Sequence, residues 1–117
     1  MKRDYNLYLK DILSAIDKID EFIGDMNFDE FVADDKTNSA VARKLEIIGE
    51  AGKSVPQHLR ERYKEIPWSD VARIRDKIIH FYFGIDYEIV WKVAKERLPE
   101  IKPSIEKMLN ELESRKK

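Results

Sequence analysis

Residues 4–23 read DYNLYLKDILSAIDKIDEFI. Apolar side chains stand at Tyr5, Leu9, Ile12, Ile16, Ile19 and Ile23, at spacings of four, three, four, three and four. That rhythm places them on one narrow stripe of an α-helix. Lys10, Asp11, Asp17, Lys18 and Asp20 fall off the stripe and face water. Gly24 is placed to stop the helix. A stripe of this length needs other apolar surfaces to bury it, and the rest of the chain offers them in the same helical form.

The segment FDEFVA at 28–33 makes one or two turns, and the polar DDKTNS that follows supplies N-caps for a second long helix from about Lys36 to Ser54. Its stripe is Val41, Leu45, Ile48, Gly52 and Val55, and Pro56 ends it. A glycine inside that stripe costs about 1 kcal/mol of helix stability relative to alanine, so close approach of another helix is its expected use. Pro67-Trp68-Ser69-Asp70 opens a further helix carrying Val71, Ile74, Ile78 and Phe81. Gly84 breaks it, and Asp86 caps a helix from Tyr87 to about Arg97. Pro99 and Pro103 leave two alternatives for the end: a kinked last helix, or one that begins near Pro103 and runs to Ser114. No window alternates with period two, so no strand is expected. The reading is an all-α, up-and-down bundle of four to five helices in a single domain, residues 1–113, with 114–117 a disordered basic tail.

Composition narrows the function. The chain has 117 residues and no cysteine, which excludes disulfides, thiolate metal sites and thiol nucleophiles. Twenty-two basic and 23 acidic side chains give a formal charge of −1. That argues against a general polyanion binder but leaves room for a local basic cleft. No apolar run spans a membrane, and the N-terminus has no signal-peptide core, so a cytoplasmic protein is expected.

Few residues can carry chemistry. His58 lies in the charged segment PQHLRERY and reads as a surface histidine. There is no H-E-x-x-H, no histidine pair four apart and no glycine-rich phosphate loop. Asp34-Asp35 reads as a helix start rather than a metal site. The stretch RIRDKIIHFY, residues 73–82, is different. On a helix, Asp76 and His80 lie four apart and opposite the apolar stripe, so Asp76 can orient the imidazole and raise its basicity. Arg75 edges onto the apolar side, where it snorkels, pairs with a buried acid or lines a cleft. The plain account is an ordinary bundle helix with an exposed Asp–His pair. The sharper account is an anion site. Arginine offers a fork of donors to a phosphate, and histidine moves a proton at neutral pH. The two suffice for metal-free cleavage of RNA if a second copy of the motif supplies the general acid. One difficulty is that Arg75 and His80 are about 140° apart around an ideal helix. Either the helix distorts before Gly84, or groups from two subunits grip each phosphate.

Arg75, His80 and Tyr82 form an R-x4-H-x-Y pattern within PWSDVARIRDKIIHFYFGIDYEIVW, preceded by RKLEIIGEAGKSVP. The combination resembles the HepT-like toxin family of the HEPN superfamily, over nearly the whole chain. The resemblance implies a HEPN-like bundle that dimerises with two motifs facing one cleft. It implies a metal-independent endoribonuclease needing no cofactor, acting as the toxin of a type VII-like toxin–antitoxin pair. It implies a cognate minimal nucleotidyltransferase antitoxin that transfers AMP onto Tyr82. By position, Arg75 and His80 take the catalytic roles and Asp76 the orienting one. Gly52 departs from the alanine expected in IGEAAK, a matter of packing more than chemistry. The alternative is a non-catalytic HEPN module that binds a nucleotide or a partner protein, and a third reading is a plain helical scaffold. The expected dimer face includes the Arg75–Tyr82 segment, on the strength of the separation of about 140° and of the nearby aromatic cluster Phe81, Tyr82, Phe83, Tyr87 and Trp91.

Overall fold

The computed structural model describes residues 4–80 and 84–115, with Ile79 and His80 described through their backbone only. Helix α1 spans Tyr5–Ile23, with Asp4 as its N-cap accepting from the Asn6 amide at 2.9 Å. Gly24 stops it at φ +51°, its N–H bonded to the Asp20 carbonyl. The stripe is buried as its spacing requires, from Leu9 to Ile23. Tyr5 is the exception: it is 36% exposed and lies edge-on to the His58 ring at 6.0 Å. His58 itself is exposed.

Helix α2, Phe28–Ala33, opens with a capping box between Asn27 and Glu30. Helix α3, Asp35–Ser54, opens with Asp34 accepting from the Thr37 amide at 3.0 Å, so the acidic pair is indeed a helix start. The junction leaves carbonyls of α2 without helical partners. Buried Asn38 supplies them: its Nδ2 donates to the Phe31 and Val32 carbonyls, each at 3.2 Å. Beyond Pro56 come α4, Gln57–Arg62, then α5, Trp68–Ala72, and α6, Ile74–Ile78. After residue 86 the chain returns through α7, Tyr87–Lys92, a π-helical turn, Val93–Arg97, and α8, Leu98–Ser114.

Helix α1 packs against both α3 and α8, and α3 also packs against α5 and α6. Ile12, Ile16, Ile19, Leu45, Ile48, Ile105 and Met108 are fully buried between them. Removing one such side chain to alanine costs about 2–5 kcal/mol.

Four expectations need correction. The count of four to five helices is too low: the described residues form eight α-helical segments and one π turn, because long rods are interrupted. The helix expected over Trp68 to Phe81 is broken at Arg73 and ends at Ile78; Phe81 lies outside the described residues. Strands do occur, as a minimal antiparallel hairpin of β1, Ile79–His80, and β2, Gly84–Ile85, in which Ile79 faces Ile85 and His80 faces Gly84. Two residues per strand are too few for any alternation to register in the sequence. Finally, of the two readings for the end of the chain, a helix that starts near Pro103 is not realised. The backbone stays helical from Tyr87 to Ser114, with Pro99 in the first turn of α8 and Pro103 inside it. A proline ring collides with the carbonyl four residues back. The wider π turn immediately before Pro99 loosens that stretch of the hydrogen-bond ladder.

Candidate functional site

The site is assembled where α3 meets the α5–α6 corner. Gly49 and Gly52 of α3 make this possible. A β-carbon at Gly49 would lie 3.5 Å from the Val71 carbonyl oxygen and 3.8 Å from the Arg75 nitrogen. At Gly52 it would lie 2.7 Å from Val71 Cγ1. The missing side chains therefore set how closely α5 and α6 approach α3. The close approach expected of Gly52 is present, against the stiff β-branched Val71.

Less than a turn before Gly49, α3 carries Glu46, and this carboxylate meets Arg75. Arg75 Nε is 3.9 Å from Glu46 Oε2, and Arg43 Nη1 is 3.4 Å from the same oxygen. Of the three sequence alternatives for Arg75, pairing with an acid is realised, but at the surface rather than in the core. The Arg75 side chain is 58% exposed and the Glu46 side chain 26%. At 3.9 Å the contact is an ion pair too long for a hydrogen bond, so the five N–H donors of the guanidinium stay available to a ligand. An exposed pair of this kind contributes at most about 1 kcal/mol, and a phosphate can displace it. Neither Glu46 nor Arg43 was singled out from the sequence. The i, i+3 spacing of Arg43 and Glu46 was visible, but nothing in it marked Arg75 as their third member, 29 residues away.

Asp76 is exposed on α6 and makes no ion pair among the described residues. Its neighbour Lys77 reaches Asp70 at 3.4 Å. The helical i, i+4 register assumed for Asp76 and His80 is absent, because α6 ends at Ile78. The Ile78 carbonyl, which a continued helix would give to the amide of residue 82, instead accepts the Asp86 N–H at 2.7 Å. Asp86 then caps α7 through its Oδ1 and the Ile89 amide at 3.1 Å. Gly84 allows the return at φ +80°. His80 consequently sits on an extended strand, no longer about 140° around the same helix from Arg75. The helix does distort before Gly84, the first of the two escapes from that difficulty. Three residues of helix and two of strand keep the two Cα atoms within about 12 Å. Tyr82, with Phe81 and Phe83, lies outside the described residues.

Of the aromatic cluster, Trp91 is partly buried against Phe28 and Phe31. Its ring centroid lies 5.2 Å from that of Phe31 and 5.8 Å from that of Phe28, and Lys95 Nζ sits 5.5 Å above it. Among the described residues no group of three histidine or acidic side chains is placed to hold a metal, and no helix is long and apolar enough to cross a membrane.

Comparison with known proteins gives a consistent result. A family model described as ribonuclease HepT-like matches residues 12–108. A Thermococcus cleftensis protein named "Probable ribonuclease HepT" is 48% identical over 92% of this chain and 98% of its own length. A Methanocaldococcus jannaschii protein named "Putative RNase MJ0125" is 47% identical over 97% of this chain and 98% of its own. A protein of Caldanaerobacter subterraneus named "Putative RNase TTE0752" is 38% identical over 87% and 91%. No solved structure matches the chain.

Proposed function

Because the chain belongs to the ribonuclease HepT-like family, we propose that it is an endoribonuclease that cleaves RNA without a metal, through Arg75 and His80. The observation that carries this reading is the state of Arg75: an exposed guanidinium whose only acidic partner among the described residues is loose and displaceable. The release of His80 from the helix by the Ile78–Asp86 hydrogen bond supports it.

In this reading His80 accepts the proton of a ribose 2′-hydroxyl, and the 2′-oxygen attacks the adjacent phosphorus. Arg75 replaces its contact with Glu46 by two hydrogen bonds to the phosphate oxygens and stabilises the charge that builds on the phosphorane. The bond from phosphorus to the 5′-oxygen breaks, and a proton is delivered to that oxygen by the imidazolium of a second protomer. The products are a 2′,3′-cyclic phosphate and a 5′-hydroxyl. Asp76 acts on His80 across the end of α6 rather than along a helical face. The wider reading is a toxin, homodimeric, held silent by a cognate nucleotidyltransferase that transfers AMP to Tyr82. An adenylate two residues from His80 would compete for Arg75 as a covalent stand-in for the substrate phosphate.

Cleavage of a labelled RNA by the purified protein tests the core of this. Activity is expected to survive EDTA and to fall by about a hundredfold or more in His80→Ala and Arg75→Ala, with melting curves unchanged. A His80→Ala protein as active as the parent sinks the mechanism. RNA bound but never cleaved by the unmodified parent selects the non-catalytic binding module instead.

A further inference from the structure

A groove of about 580 Å³ lies between α4 and α5, lined among others by Gln57, Arg60, Lys64, Ser69 and Arg73. Its three cations face one acid, Glu61, which accepts from Gln57 Nε2 at 3.3 Å. Six cations elsewhere on the surface are neutralised by ion pairs. Lys10, Lys18, Arg43, Lys77, Arg97 and Lys102 are each within 4 Å of a carboxylate. Arg60, Lys64 and Arg73 pair with no carboxylate among the described residues. In a chain of net charge −1 this is a local concentration of uncompensated positive charge.

Two of these cations are also held in place. Arg60 donates from Nε to the Val55 carbonyl and from Nη2 to those of Gly52 and Lys53, all at 2.9 Å. It thereby caps the end of α3. Arg73 donates from Nη2 to Ser69 Oγ at 2.8 Å and from Nε to the Ser69 carbonyl at 3.4 Å. Neutral oxygens fix each guanidinium without cancelling its charge, and donors are left over on both. Ordering them costs a ligand little entropy. Arg73 stands two residues before Arg75, so the groove begins within about 7 Å of the site, Cα to Cα.

We propose that this groove is an exosite for the sugar–phosphate backbone of single-stranded RNA, gripping the strand beside the phosphate that Arg75 and His80 act upon. It rests on the ribonuclease reading above. An open groove lined by three cations suits a polyanion strand running over it, and it supplies affinity independent of base sequence. It also explains how a nearly neutral chain holds RNA at all.

The test is fluorescence anisotropy of a labelled single strand of about 20 nucleotides, titrated with His80→Ala protein from about 50 to 300 mM salt. Lys64→Ala and Arg73→Ala, added singly, are expected to weaken binding about three- to tenfold. Each should flatten the log–log salt slope by about 0.7, the value for one phosphate contact on a single strand. Lys10→Ala and Lys102→Ala, whose ammonium groups are already neutralised, should leave the slope alone. Melting temperatures are read in parallel, and Arg60 is left untouched because it caps α3. Groove variants that match their parent in affinity and slope overturn the exosite; if the wild-type protein still cleaves RNA, the ribonuclease reading survives that result. A wild-type protein that neither binds nor cleaves RNA removes both. Groove variants that instead lose a complex with the nucleotidyltransferase, with RNA binding intact, make the groove a protein-docking surface and overturn the proposal.

Discussion

Glu46 is shared by two arginines; in the proposed mechanism it stands where the substrate phosphate would come and masks Arg75. Glu46→Gln removes the competing charge and keeps the shape. RNA should then bind tighter, with KM lowered about two- to fivefold, since an exposed pair contributes at most about 1 kcal/mol. The value of kcat should stay within about threefold. A tenfold fall in kcat would mean that Glu46 positions Arg75 rather than covers it. A second residue-scale effect involves the end of α4. Buried Tyr63 donates its hydroxyl to Glu111 Oε2 at 2.7 Å, tying the end of α4 to α8. Burial first, then that hydrogen bond, raises the phenol above its ordinary 10.0. The folded state therefore holds the proton more tightly than the unfolded chain. The stabilisation is complete below about pH 10 and is lost as pH rises through the raised value. Tyr63→Phe should cost about 1–2 kcal/mol at neutral pH, and the difference from wild type should shrink above pH 10 in paired denaturant titrations. A constant difference across that range would show that the hydroxyl proton is not what is felt.

At the scale of elements, two glycines one turn apart on α3 make opposite predictions. Gly52→Ala places a methyl 2.7 Å from Val71 Cγ1, and a β-branched neighbour has no free rotamer to retreat into. Overpacking of this kind costs about 1–3 kcal/mol, which outweighs the gain of about 1 kcal/mol in helix propensity. Gly49→Ala meets only ordinary contacts, at 3.5 Å and beyond, so the propensity gain should survive and stability should hold or rise. Thermal melts of the two variants check the pair, and the reverse order would refute this account of the α3–α5 contact. The contrast matters for the site, because this contact brings Glu46 to Arg75. The helix stripes, the helix starts at Asp34 and Asp86, and the use of Gly52 were all legible beforehand, since each depends on residues within one or two turns. The end of α6 was not. Ile74 and Ile78 continue the helical rhythm, and only a hydrogen bond from Asp86, eight residues on, claims the Ile78 carbonyl.

For the molecule as a whole, the proposed mechanism needs a proton donor that one protomer does not obviously supply, and a second copy is the simplest source. Light scattering at micromolar concentration should give about twice the 13.9 kDa chain mass. A lone species at the chain mass would contradict the two-protomer mechanism. Trp91, committed to Phe28 and Phe31, is not expected to anchor that interface; Arg75 and its surroundings are. Tyr82→Phe keeps the ring and removes the acceptor oxygen. Co-expressed with a cognate nucleotidyltransferase, it should stay toxic and gain no AMP by intact mass. Neutralisation equal to wild type would move the modification elsewhere or make inhibition a matter of binding.

The sequence by itself determined that this chain is helical, where its long stripes lie, and which short stretch holds arginine, histidine and tyrosine in family-like spacing. Those properties follow from local periodicity and from the identity of side chains, both readable in one dimension. Only the tertiary structure decided that His80 leaves the helix for a strand, that Glu46 stands over Arg75, and that Arg60, Lys64 and Arg73 share one groove. Each of these depends on contacts between segments distant along the chain. A carboxylate on α3 or a cation on α4 carries no mark in the sequence of the partner that close packing will bring to it.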